Sequence, residues 1–168
     1  IMDIPSHSCL EKGIYAIVLT YDANHIFVDN LLCKMQKLWP ESAMIFRIAY
    51  NNDKPIYLAK KYKSLKLEFI QTPSPIKQTV LSLIGDLDDN DWIYWCIDDK
   101  FPIDLNRKKA QQTLDWVRSQ EDESICGVSF GKIRGTLKKL KKSSSSDKDY
   151  ILAINNNLIL LKRPSFYE

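Results

Sequence analysis

The chain has 168 residues, which suits one domain of roughly 100–200 residues with its own buried core. Hydrophobic residues make up 45% and charged residues 27%; this excludes a disordered tail, and no apolar run approaches the roughly 20 residues of a membrane-spanning helix. The net charge of +3 excludes a bulk nucleic-acid binder, although residues 86–99 hold six Asp and no Lys or Arg, while residues 132–148 hold seven basic residues and one acid.

In chain order, the continuous apolar run 14–20 predicts a strand buried on both faces. Phe27, Leu31, Met35 and Leu38 or Trp39 then recur at helical spacing up to Pro40. A second strand is expected over 43–48, ended by Asn51, Asn52 and Asp53, with a short helix around 56–63. The alternation over 65–70 predicts a third strand. Ser74 as N-cap and Pro75 at the first helical position predict a helix with Ile76, Val80, Leu83 and Leu87 on its apolar stripe. The run 92–97 reads as a fourth strand ending at Asp98-Asp99-Lys100, and Asp104 as the cap of a helix that buries Ala110, Leu114 and Val117. A fifth strand is expected over 125–130. The serine- and lysine-rich stretch 132–148 has the composition of a flexible solvated loop, and the apolar runs 150–154 and 158–161 read as a hairpin or as one strand with a turn.

Strands alternating with helices predict an α/β fold: a single domain over 1–168, built as a three-layer sandwich around a mostly parallel sheet. In such sheets ligands bind at the carboxyl ends of the strands, which singles out Thr20-Tyr21-Asp22 and Asp98-Asp99-Lys100. Two adjacent carboxylates repel one another, and a divalent cation is one reason to keep them; the other reading is a loop that caps the next helix. There is no G-x-G-x-x-G, no P-loop and no G-x-S-x-G elbow. His7 and His25 are the only histidines, and His25 reads as a surface or capping residue rather than a catalyst. Cys9, Cys33, Cys96 and Cys126 form no C-x-x-C pair, so reduced structural thiols are expected.

The segments Tyr15-Ala-Ile-Val-Leu-Thr-Tyr-Asp22 and Asp91-Trp-Ile-Tyr-Trp-Cys-Ile-Asp-Asp-Lys-Phe-Pro102 resemble the nucleotide-binding half of GT-A glycosyltransferases, above all bacterial polysaccharide enzymes. The resemblance runs from Ile14 to about Phe130. It implies a GT-A-like, Rossmann-like domain that takes a nucleotide-sugar donor and transfers the sugar to a polysaccharide or glycoconjugate in the cytoplasm. Thr20, Tyr21 and Asp22 match the loop that holds nucleobase and ribose. Asp98 and Asp99 match the DxD-type motif that binds Mn²⁺ or Mg²⁺ and the donor diphosphate. Lys100 stands where the family carries an acid or an aromatic; it either contacts a phosphate oxygen or marks a weakened metal site. No acceptor and no catalytic base is named. The family places a further segment after the last strands, so a C-terminal partner segment or a second copy is expected to complete the domain. The alternative function is a non-catalytic α/β binding module that keeps the fold alone. A nucleotidyltransferase is a third reading, weakened by the missing Gly-rich phosphate loop.

Overall fold

The computed structural model describes residues 13–89, 91–119, 127–129 and 159–162. The expected flexible loop at 132–148 and the run at 150–154 lie outside them.

Six strands form one sheet: β1 (Ile14–Leu19), β2 (Ile45–Tyr50), β3 (Lys66–Gln71), β4 (Trp92–Ile97), β5 (Gly127–Ser129) and β6 (Ile159–Lys162), in the order β3-β2-β1-β4-β6-β5. β1 to β4 are mutually parallel where they pair, as the βαβ alternation demands. β6 enters antiparallel between β4 and β5, with Ile93 opposite Leu161 and Gly127 opposite the same leucine. The expected mostly parallel α/β architecture is therefore what the chain adopts, with one antiparallel strand inserted near its edge.

Among the described residues four α-helices connect the strands: α1 (His25–Leu38), α2 (Ile56–Lys61), α3 (Ile76–Ile84) and α4 (Arg107–Ser119). Residue parity along each strand divides the core. Ala16, Val18, Phe46, Ile48, Trp92, Tyr94 and Cys96 pack with α1, α2 and α4 on one face. Ile17, Ala49 and Ile93 pack with Leu83, Ile84 and Leu87 on the other. The split follows from handedness. The chain steps from β1 through β2 to β3 in one direction and returns across β1 to β4 in the other. Right-handed crossovers then place α3 opposite α1 and α2.

Several local expectations shift. The stripe of α1 is Val28, Leu31, Leu32 and Met35, whereas Phe27 is exposed. Pro75, not Ser74, is the N-cap of α3, and Ile76 is 70% exposed, because the helix buries Thr79, Leu83 and Ile84 instead. Asn106 rather than Asp104 caps α4, its Oδ1 accepting from Lys109 N–H at 3.0 Å. Ala110, Leu114 and Val117 face the core as expected.

One charged side chain sits inside the α3 face. Arg47, 3% exposed, donates through both terminal nitrogens to the two oxygens of Asp86, at 2.7 and 2.9 Å. Its Nε lies 3.2 Å from Glu68 Oε2, and its guanidinium stands 5.8 Å from the centre of the Tyr15 ring. Burial raises the Tyr15 phenol above its ordinary pKa, and the carboxylates of Asp91 and Glu68 add to that. At this amino-terminal end of β1, Asp91 accepts from Gly13 N–H at 2.9 Å and from Asp88 N–H at 2.8 Å, while Trp92 N–H donates to Gly13 O.

Candidate functional site

β1 and β4 are neighbours where the strand order reverses: from β1 the chain runs outward through β2 to β3, then returns through α3 to β4 on the other side of β1. This reversal is the switch point of a doubly wound sheet, where the connecting loops part and leave a crevice. A cavity of about 430 Å³ opens there, walled by the ends of β1 and β4, by Asn51 after β2, and by Ser74, Ile76 and Thr79 at the start of α3.

The register ends with Leu19 opposite Ile97, which leaves Thr20 and Asp98 side by side just beyond the strands. Thr20 Oγ1 donates to Asp98 Oδ2 at 2.8 Å, and both residues are buried. Among the described residues that line the cavity, Asp98 is the one charged side chain. It is the second residue of a tight turn closed by Lys100 N–H donating to Ile97 O at 3.0 Å. The turn sends its two acids apart: Asp98 lines the cavity, whereas Asp99 and Lys100 are exposed and do not. Tyr21 lines the cavity while 53% exposed, and its carbonyl accepts from Asn24 N–H at 2.8 Å.

Asp22 is placed differently. Its carboxylate turns to the loop after β2 and accepts from three successive backbone N–H groups, of Asn51, Asn52 and Asp53, at 2.7, 2.8 and 3.1 Å. Desolvation pushes its pKa up, but those hydrogen bonds outweigh it and hold the carboxyl below its ordinary value. His25 is not a surface residue: it is buried, with Nε2 3.3 Å from Ala49 O, and so joins α1 to β2, while its backbone N–H donates to Asp22 O and caps the short helical turn Asp22–Asn24.

The cavity also draws on residues that the sequence reading passed over. Asn51 reads as a strand breaker and Ser74 as a helix cap, yet both line it, with Asn24 and Thr79. The rule that ligands gather at strand ends applies to β2 and β3 as well as to β1 and β4, and would have drawn attention to Asn51.

Among the described residues no group of three or more His, Cys, Asp or Glu side chains comes together. A zinc-type ligand set is thus not present among them. The turn does suit a hard cation of the Mg²⁺ or Mn²⁺ kind, which is held by one or two carboxylates and completed by phosphate oxygens and water.

No protein-family model matches the sequence, and no curated protein matches it. Solved structures do match in fold. A mannosyltransferase from Pyrobaculum calidifontis, in complex with GDP-Man and Mn²⁺, aligns over 74% of this chain with a TM-score of 0.50 and 12% identity. The 4-diphosphocytidyl-2C-methyl-D-erythritol synthase of Anaerococcus prevotii aligns over 94% with a TM-score of 0.54 and 10% identity. The fold is GT-A-like. TarS of S. aureus aligns over 62% of the chain at 15% identity with a TM-score of 0.46. The chain spans 20% of TarS, 37% of the mannosyltransferase and 73% of the synthase. At such identities the likeness fixes the fold; function has to be argued from the site. No helix among the described residues is long and apolar enough to cross a membrane.

Proposed function

We propose that this GT-A-like domain binds a nucleotide-sugar donor and serves sugar transfer to a polysaccharide or glycoconjugate in the cytoplasm, with Mn²⁺ or Mg²⁺ bound at Asp98 and Asp99. The observation that carries the reading is the charge content of the crevice. A diphosphate brings two or more negative charges, and the described residues of the cavity lining supply no Lys or Arg, only the carboxylate of Asp98. Asp98 would hold a divalent cation there, and such a cation would supply Lewis-acid neutralisation of a diphosphate leaving group.

In this reading Thr20 fixes one oxygen of Asp98 and leaves the other to the cation. Asp99, one residue on at the exposed side of the turn, supplies a further oxygen directly or through water, and Lys100 reaches a phosphate oxygen from outside. Tyr21 and Ile76 offer apolar surface to the nucleoside, and Asp22 organises the neighbouring loop. The acceptor and its base come from residues that nothing in the described site supplies.

The test is a thermal-shift and calorimetric panel of nucleoside diphosphates and nucleotide sugars, with Mn²⁺ or with EDTA. A shift that needs both nucleotide and Mn²⁺, and is lost in Asp98→Ala and Asp99→Ala, supports the reading. A metal-independent preference for nucleoside triphosphates would point instead to a nucleotidyltransferase, a reading that the synthase likeness keeps in play.

A further inference from the structure

β3 is the last strand at one side of the sheet, and among the described residues nothing pairs with its outer edge. One hydrogen bond fixes the direction of its backbone groups: Thr72 N–H donates to Tyr50 O at 2.8 Å, toward β2. Successive residues of a strand turn their N–H and C=O groups to opposite sides. Lys66, Glu68 and Ile70 therefore direct theirs to β2, and Leu67, Phe69 and Gln71 turn theirs outward.

An open edge is a template for another strand, and proteins commonly blunt it with Pro, a bulge or charge. β3 has no Pro and pairs with β2 residue for residue from Lys66 to Gln71, so it carries no bulge. Its two charges, on Lys66 and Glu68, are exposed, opposite in sign and on the same face of the strand. Glu68 Oε2 lies 3.2 Å from Arg47 Nε, yet its side chain is still 46% exposed. On the other face, Leu67 and Phe69 pack against the main core while only partly buried.

These charges are complementary to those of a second copy of the same strand. Two copies related by a two-fold axis pair their edge strands antiparallel, and the residue on the axis sets the register. An axis at Lys66 or Glu68 sets like charges opposite one another, which is destabilising. An axis at Phe69 sets Glu68 against Ile70 and leaves both charges without a partner. An axis at Leu67 sets Lys66 of each copy directly against Glu68 of the other. The two Leu67 residues then exchange backbone hydrogen bonds, and Phe69 faces Leu65 across the junction.

We propose that two copies of this chain associate through β3, antiparallel about an axis at Leu67, so that one sheet runs through both. The crevice between β1 and β4 lies beyond β2 from the junction, so association leaves it open in each copy. A ladder this short belongs with interfaces below about 1,200 Å², for which association in the micromolar range is expected.

The experiment is sedimentation velocity of the full chain across the micromolar range, at low and high salt, with circular dichroism to check the fold of each variant. The wild type should pass from monomer to dimer as concentration rises, and salt should weaken the dimer by screening its charge pairs. Lys66→Glu, which turns both charge pairs into repulsions, should weaken the dimer about tenfold. Leu67→Cys should give more disulfide-linked dimer than the wild type under the same oxidant, because the axis places the two Cα atoms about 5.5 Å apart. Phe69→Cys should not, since its two Cα atoms lie about 14 Å apart in this register. A chain that stays monomeric throughout overturns the proposal. So does a dimer that tolerates Lys66→Glu, or one that cross-links through Phe69→Cys rather than Leu67→Cys. Should Lys66→Glu misfold, the two cysteine variants decide the matter by themselves.

Discussion

Thr20 Oγ1 and Asp98 Oδ2, 78 residues apart in sequence, meet at 2.8 Å in the crevice between β1 and β4. The bond lies where the strand order reverses between β1 and β4. It orients the single carboxylate among the described residues of the cavity lining and ties together the two strand ends that form its floor. A hydrogen bond to a charged group contributes about 1.5–3 kcal/mol.

Thr20→Val keeps the shape of the side chain and removes the donor. It should weaken Mn²⁺-dependent binding of a nucleoside diphosphate by roughly tenfold, measured by calorimetry, since Asp98 then lacks its orienting partner. Thr20→Ser should restore most of the affinity. Equal affinities for wild type and Thr20→Val would show that the orientation of Asp98 does not matter to binding.

Asp98→Asn should remove the Mn²⁺-dependent thermal shift while the fold persists, because an amide still accepts from Thr20 but brings no charge to the cation. EDTA should have the same effect on the wild type. A shift that survives in Asp98→Asn would place the cation elsewhere.

Asp86 is 70% exposed, and its removal would ordinarily cost little. Here it is the bidentate partner of a guanidinium that is almost wholly buried. Asp86→Ala should therefore lower unfolding stability by about 2 kcal/mol, as the buried charge loses two hydrogen bonds. Arg47→Met, which removes the charge and keeps the packing, should cost less than Asp86→Ala. Denaturant unfolding of both variants checks the order.

Asp22 and Asp29 both have carboxyl pKa values held below the ordinary one. In Asp22, desolvation raises the value and the N–H groups of Asn51, Asn52 and Asp53 overcome it. In Asp29, desolvation again raises it, and hydrogen bonds from Lys61 and the Tyr62 hydroxyl overcome it. A carboxyl with a depressed folded pKa stabilises the fold above its unfolded value of about 3.9, and that stability is lost as pH falls through the lower folded value. Urea midpoints should thus fall steeply below about pH 4, and less steeply in an Asp22→Asn, Asp29→Asn double variant. A variant with the same acid slope as wild type would mean that neither carboxyl contributes.

Asp91 closes the other end of the same pair of strands. It accepts from two backbone N–H groups, of Gly13 and Asp88, and is buried. Asp91→Ala should cost about 2 kcal/mol by stranding both donors, read as a drop in thermal midpoint with nucleotide affinity unchanged, since the residue lies at the far end from the crevice.

The strands β1 and β4 were legible in the sequence because burial on both faces demands unbroken apolar runs, and 14–19 and 92–97 stand out without any partner in view, whereas the edge strand β3 shows itself by polar–apolar alternation. Thr20 and Asp98 were legible for a related reason: they are the first polar residues after those runs, at the strand ends where ligands gather. The helical stripes were less so, as Phe27 and Ile76 fit the spacing but point to solvent; spacing defines a face only once the neighbouring strands decide which side is covered. What Asp22 binds and which oxygen of Asp98 is already engaged were decided by tertiary structure alone. Each depends on a hydrogen bond between residues far apart in sequence, and such a bond exists only after parallel pairing in a particular register has brought the strand ends together.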